Sequence, residues 1–299
     1  MGVKGLYTYL KSYRRPKHDY LTGHTLRIGF DAMSMLYNYK SRYEDMYPLL
    51  RSFKEAGHRL FFVFDGRSPV EKEAEVKERR DARESATTQA TSIKEYLATG
   101  SITPKERDVL AYSLARLESQ GWYMTRDIRH SFQKALWDMD IPYVKAIGEA
   151  DDALSDLVAA GKLDVVVSTD MDFLLSGVPR LWIPFRGYRE GFEEILLQEV
   201  LDGEDMTLAM FQDTGILCGI ELLRGKVCVP THMAFSWIRY YKSVEELLKS
   251  KVEEPQLGVL SDAELLKKAR ARFSTEAVNW SARIRPDHLE RCRAFVEAL

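Results

Sequence analysis

Residues 164–175 read DVVVSTDMDFLL. Three successive valines describe a strand buried on both faces, the kind that sits inside a parallel sheet. Two aspartates, Asp170 and Asp172, stand where that strand stops, and Phe173, Leu174 and Leu175 return to apolar packing at once. Carboxylates held together at the rim of a core repel one another unless a cation or a chemical role accounts for them.

The same punctuation recurs along the chain. LRIGFD (26–31), RLFFVFDG (59–66) and RLWIPF (180–185) read as further short buried strands, with Asp31 closing the first and Asp65 the second. Residues 33–57 carry helical periodicity to a stop at Gly57. EADDALSDLVAAG (149–161) sets Ala153, Leu154, Leu157 and Val158 on one helix face, with Gly161 as C-cap. Strands alternating with helices predict an α/β fold, a central, mostly parallel twisted sheet with helices on both faces. In such sheets the loops after the strands converge on one crevice. Asp31, Asp65 and Asp170 therefore meet there, joined by Glu149 and Asp151 at the head of the helix. Each acid taken singly reads as a turn or N-cap residue, and Glu149 and Asp151 as first-turn acids favoured by the helix dipole. Their number points instead to an acidic cluster, whose all-oxygen donors suit Mg²⁺ or Mn²⁺ rather than zinc.

Composition excludes other classes. Cys218, Cys228 and Cys292 show no CxxC spacing and the six histidines no HExxH pairing, which argues against a disulfide framework and a zinc hydrolase. MGVKGLYTYL lacks the layout of a signal peptide, and no apolar run reaches membrane-spanning length, so the expectation is a soluble, intracellular protein, in nucleus or cytoplasm. A net charge of -2 does not advertise nucleic-acid binding. Carboxylates gathered around metal would, however, inflate the acidic count without making the working surface negative.

From Arg67 to about Arg129 the pattern changes. VEKEAEVKERRDARES has too few apolar residues to bury a face, so it is either a solvated helix or a projecting arm. ATTQATSIKEYLATGSITPKER reads as a flexible link into a second helix, and everything after Glu193 reads as helical, broken near 225–230 and at Pro286.

MGVKGL at the start, FDAMSMLY (30–37), FVFDGRSPVEKEAEVKERR (62–80) and IPYVKAIGEADDALSDLVAAGKLDVVVSTDMDFLLSG (141–177) resemble the 5′ structure-specific nucleases, the family of flap endonucleases, 5′ exonucleases and repair nucleases. The resemblance covers residues 1 to about 225 and is weakest over 85–125. It implies a PIN-like nuclease core over 1–200 with a helical arch inserted at about 67–129, and an all-helical duplex-binding region over 201–299. By the same resemblance, Asp31, Asp65, Glu149, Asp151, Asp170 and Asp172 hold two divalent metals. The family's further aspartate closes an L-x-G-x-D segment; here FQDTGILCGIELLRG puts Glu221 at that place, one methylene longer. Lys72 and Arg79 would grip the scissile phosphate, Tyr37 would stack on a base, and Gly2 would bring a backbone amine near the site. Without the resemblance, the two basic residues are charges on a charged helix and the tyrosine a core residue. The implied chemistry is two-metal hydrolysis of a phosphodiester, with a free 5′ strand held by the arch and duplex held through phosphate contacts. Implied partners are DNA with a 5′ flap, nick or free 5′ end, bound by a monomer.

Departures from the family stand beside the matches. Its duplex-binding turn reads G-[IV]-G-P-K and takes a monovalent cation, whereas GKVCVPTHMAFSW (225–237) has Val229, Thr231 and His232 there. Valine disfavours the positive φ such a turn requires. Duplex anchoring then falls to Lys267, Lys268, Arg270 and Arg272, a run that reads equally as a solvated helix face. ERCRAFVEAL shows no sliding-clamp peptide, as in a minimal, viral-type member. Competing readings are a non-catalytic nucleic-acid-binding scaffold of the same fold, a junction resolvase, and a phosphatase or RNA nuclease with a related acid cluster.

Overall fold

The computed structural model describes residues 3–17, 19, 21–67, 73–98, 102–185, 191–250, 252, 254–273 and 280–290. Among these, seven strands form one sheet: β1 Arg15–Lys17, β2 Arg27–Asp31, β3 Arg59–Phe64, β4 Tyr143–Lys145, β5 Val165–Val167, β6 Arg180–Pro184 and β7 Phe192–Leu196, in the order β1-β7-β6-β5-β2-β3-β4. β2 to β6 run parallel, while β7 is antiparallel to β6 and β1 to β7. In register, Phe30 lies between Phe62 and Val167, so the carboxyl ends of β3, β2 and β5 stand side by side.

Helices connect and cover the strands. They are α1 Leu6–Tyr9, α2 Ala32–Tyr39, α3 Met46–Glu55, α4 Glu73–Ala98, α5 Pro104–Gly121, α6 Arg126–Asp138, α7 Ala150–Ala159 and α8 Asp172–Leu175. Beyond the sheet follow α9 Leu197–Glu204, α10 Leu208–Cys218, α11 Thr231–Tyr241, α12 Val244–Lys249, α13 Ala263–Ala271 and α14 Trp280–Arg283. Alternate residues of a strand face opposite ways. Leu60, Phe62 and Phe64 accordingly pack with Phe30, Phe53 and Phe132 on one face. Phe61 and Val63 face the other, in a core shared with Leu154 and Leu157 of α7 and with Ile216 and Phe235 of the C-terminal helices. Gly29 of β2 lets α7 sit close: a Cβ there would meet Leu154 and Leu163 at 2.7 and 2.6 Å.

Three strands, β1, β4 and β7, were not expected from the sequence. β7 corrects the expectation of helix from Glu193 onward, since helix resumes only at Leu197. FEEIL makes a strand because its acids are satisfied along the sheet: Trp182 Nε1 donates to Glu194 at 2.8 Å and Arg14 pairs with Glu193 at 2.8 Å. The expected flexible link is also corrected, because α4 runs unbroken through ATTQATSIKEYLA. Thr87, Thr88, Thr91 and Ser92 each donate a hydroxyl to the carbonyl four residues back, and Ala86 and Ala90 are buried. α5 begins behind a capping box formed by Thr103 and Glu106.

The chain finally returns to the sheet. Ile284 bridges Ala146 just beyond β4, Ile147 N–H donates to the Arg283 carbonyl at 2.7 Å, and Arg285 N–H donates to the Lys145 carbonyl at 3.0 Å. This strap brings C-terminal side chains to the head of α7. Among the described residues, no single helix is long and apolar enough to cross a membrane.

Candidate active site

Asp31 ends β2 and caps α2. Its Oδ1 accepts the Ser34 amide at 2.9 Å and its Oδ2 accepts the Ser168 hydroxyl at 2.9 Å. The cap reading of Asp31 thus holds. Asp65 follows β3 and accepts the Ala150 amide at 2.8 Å, which fixes it to the first turn of α7. The next residue must be glycine: a Cβ on Gly66 would lie 2.1 Å from the Ala146 carbonyl oxygen. Glu149 is the N-cap of α7, with Asp151 and Asp152 in its first turn. After β5, Asp170 N–H donates to Ser168 Oγ at 3.1 Å, Asp172 N–H donates to Asp170 Oδ1 at 3.0 Å, and Asp172 accepts the Val3 amide at 2.8 Å. Glu221 opens a 3₁₀ turn, Glu221–Leu223, two residues after Gly219, whose φ of 100° no side chain adopts readily.

The electrostatics tie these acids to one another. Burial, then the charges of Asp65 and Asp170, push the Asp31 carboxyl up to about 7. Burial, then Asp170, with Glu221 contributing, pushes Asp172 up to about 7 as well. Glu149, Asp151, Asp170, Asp172 and Glu221 line one cavity of about 320 Å³, together with Arg272. Its donors are all oxygen and its uncompensated charge is negative, which suits a hard divalent cation. The spacing is another matter: among the described residues, no three acids, histidines or cysteines are drawn together closely enough to hold one ion. Arg272 stands among them instead, bonded to Glu149, Asp151 and Asp152.

Above this cavity lies the base of the arch. Arg79 is half-buried near Glu221 and Tyr37, and burial lowers the pKa of its guanidinium. Tyr37 is not a core residue; it is 40% exposed, edge-on to Trp122 at 5.4 Å. Lys72 and Gly2 lie outside the described residues. Of the basic run on α13, Lys267 is exposed and Lys268 lines the acid cavity. Arg270 is engaged elsewhere, holding Asp213 at 2.7 Å and Glu245. In the 225–232 turn, Val229 takes no positive φ and Gly225 does, at 71°. The amides of 226–229 are bonded internally, Val229 to the Leu217 carbonyl at 2.8 Å and Cys228 to Gln256 at 2.7 Å. Sequence reasoning passed over Asp152, Arg283 and Ser168; only Asp152 carried a signal, as the second acid of the EADD run.

Comparison with known proteins bears on the same residues. Residues 140–221 match the XPG I-region, a span that holds Glu149, Asp151, Asp170, Asp172 and Glu221. The chain is 28% identical over 280 residues to flap endonuclease 1 of Theileria annulata, covering 84% of this chain and 52% of that protein. It is 31% identical over 205 residues to flap endonuclease 1-B of Physcomitrium patens, covering 66% and 54% respectively. Over these spans the chain is similar to the 5′ structure-specific nucleases. It spans about half the length of these two relatives. Among solved structures, the catalytic core of Rad2 in complex with DNA superposes with a TM-score of 0.65 at 16% identity, covering 99% of this chain and 95% of that one. The fold is thus shared across nearly the whole chain, and Asp31, Asp65 and Asp170 lie where its parallel strands end.

Proposed function

We propose that this chain hydrolyses phosphodiester bonds in DNA carrying a 5′ flap, nick or free 5′ end, with Mg²⁺ or Mn²⁺ held by Asp31, Asp65, Glu149, Asp151, Asp170, Asp172 and Glu221. The observation that carries this reading is one cavity lined by acids from three separate segments, Glu149 and Asp151, Asp170 and Asp172, and Glu221, with Asp31 tied by charge to Asp65 and Asp170 beside it and Arg79 near Glu221. Two bound metals would supply a deprotonated water and charge stabilisation at the transferring phosphate.

The protein's own side chains do the remaining work. Ser34 and Ser168 fix both oxygens of Asp31, and the α7 amide fixes Asp65, so the donors are oriented before substrate arrives. Arg79 meets the phosphate beside the cut and Tyr37 offers a ring face to the adjoining base. Lys72 is assigned to the same phosphate by its place in the arch motif, and Gly2 to the margin of the acid cluster. Lys267 and Lys268 are the remaining candidates for duplex phosphate. Arg270, committed to Asp213 and Glu245, is not, and the internally bonded 226–229 amides leave little to approach a duplex phosphate. The protein acts as a monomer wherever such DNA occurs.

The test is incubation of the purified protein with Mg²⁺ and a 5′-labelled double-flap DNA, beside nicked duplex, single strand and an Asp170→Ala control. Cleavage at the flap base that vanishes in the variant supports the reading. Cleavage of nothing, in Mg²⁺ or Mn²⁺, removes it in favour of a binding scaffold.

A further inference from the structure

A cation already sits among the acids. Arg272, at the C-cap of α13, directs Nη2 to Glu149 Oε2 at 2.6 Å and to Asp151 Oδ2 at 3.3 Å, and Nη1 to Asp152 Oδ1 at 2.7 Å. Two of these acids belong to the proposed metal set. A second arginine steadies the arrangement from the strap: Arg283 pairs with Asp156 at 3.0 Å and approaches Asp152 at 3.6 Å. Asp152 is therefore held from both sides, and Arg272 is locked against the head of α7.

A guanidinium presents its donors in a fixed plane and keeps its charge at any pH the protein meets. Mg²⁺ demands oxygens at about 2.0–2.1 Å in near-octahedral array. An ion on the Glu149 oxygen that Arg272 holds at 2.6 Å would stand against a like charge at contact distance. The Glu149 and Asp151 side chains keep only 12% and 26% of their surface exposed, so little room remains for an ion beside the guanidinium.

We infer that Arg272 is a resident counter-ion of the acid cluster, and that a divalent cation loads at Glu149 and Asp151 only by displacing it. The inference rests on the nuclease reading for the identity of the ion. Arg272 relieves repulsion among the acids while metal is absent. The apparent affinity for metal is then the intrinsic affinity multiplied by the fraction of molecules in which Arg272 has let go.

The experiment is Mn²⁺ binding to the DNA-free full chain, followed by calorimetry and by the magnetic resonance signal of free Mn²⁺. Wild type is compared with Arg272→Gln, Arg272→Lys and Lys268→Gln. With Arg272 released in about one molecule in ten, Arg272→Gln binds about tenfold more tightly. Arg272→Lys keeps the charge but loses the fork, and gains less. Lys268→Gln removes an equal charge from the cavity wall and gains least. Added guanidinium chloride at millimolar concentration, well below denaturing levels, weakens binding to Arg272→Gln and leaves wild type unchanged. Unaltered or weaker binding in Arg272→Gln, or an equal gain in Lys268→Gln, overturns displacement while leaving the nuclease reading intact. Absence of Mn²⁺ binding in every protein overturns both. If Arg272→Gln does not fold, Arg272→Lys carries the comparison.

Discussion

The backbone amide of Val3 donates to Asp172 Oδ1 at 2.8 Å, joining the beginning of the chain to the acid pair that follows β5. Val3 is itself buried, 4% exposed, so the amide is held in place by apolar packing. A hydrogen bond to a carboxylate stabilises its charged form. Val3→Pro keeps a small apolar residue and deletes the donor. Removing a bond to a charged group costs about 1.5–3 kcal/mol, so cleavage should fall on the order of tenfold to a hundredfold. Mn²⁺ affinity should fall with it, while circular dichroism stays that of wild type. Unchanged Mn²⁺ binding would show that the amide plays no part in presenting Asp172.

Asp31 and Asp172, each pushed up to about 7, also set a dependence of stability on pH. Between the ordinary carboxylate value of about 4 and these raised values, the folded state binds more protons than the unfolded one, so metal-free stability falls as pH rises through that window. Loading with divalent metal replaces the protons. Mg²⁺ should therefore raise the melting temperature at pH 8, by about 2–4 °C or less per kcal/mol of stabilisation for a chain of this size, and by much less at pH 5. Thermal scans with and without Mg²⁺ at both pH values check this. An equal rise at both would exclude these two carboxylates as the linked groups.

Asp31, Asp65 and Asp170 were legible as strand-end acids because their positions follow from chain direction alone. Where parallel strands end, side chains such as Asp31, Asp65 and Asp170 reach one edge whatever the helices do. β7 was hidden because Glu193 and Glu194 read as helix formers until Arg14 and Trp182 are seen to satisfy them. The threonines of α4 read as a link because their low helix propensity is overridden by hydroxyls folded back on the helix and by the burial of Ala86 and Ala90 against its neighbour. Arg272 was read as one of a run of duplex-anchoring charges and stands among the acids at the head of α7 instead. Its partners lie more than a hundred positions away, and only the path of the C-terminal region past α7 brings them together. Local pattern identifies strand ends, whereas a pairing of that kind exists only after folding.

Gly219 shows how backbone geometry fixes Glu221. Its φ of 100° suits glycine, and a Cβ there would stand 2.6 Å from the Val227 carbonyl oxygen, which is backbone and cannot swing aside. Gly219→Ala should cost about 1–3 kcal/mol of stability. Denaturant melts would show it as a lower midpoint at unchanged slope. Because the strain falls two residues before Glu221, metal affinity should drop as well. A variant with wild-type stability would mean that the 217–228 segment shifts to admit the methyl group.

Tyr37 tests the substrate side of the cleft without touching the acids. It stands 40% exposed on α2, edge-on to Trp122 beyond the end of α5, and the contact joins the core to the arch. An exposed aromatic pair of this kind adds about 0.5–1.5 kcal/mol at most, so Tyr37→Ala should change thermal stability little. Base stacking on an aromatic ring is worth about 1–3 kcal/mol. If Tyr37 stacks on the base next to the cut, the alanine variant should lose about tenfold or more in kcat/KM on flap DNA, and Tyr37→Phe should recover most of it. Mn²⁺ binding in the absence of DNA should be the same for all three proteins. Loss of activity in the phenylalanine variant would shift the role from the ring to the hydroxyl, whereas full activity in the alanine variant would leave Tyr37 only its contact with Trp122.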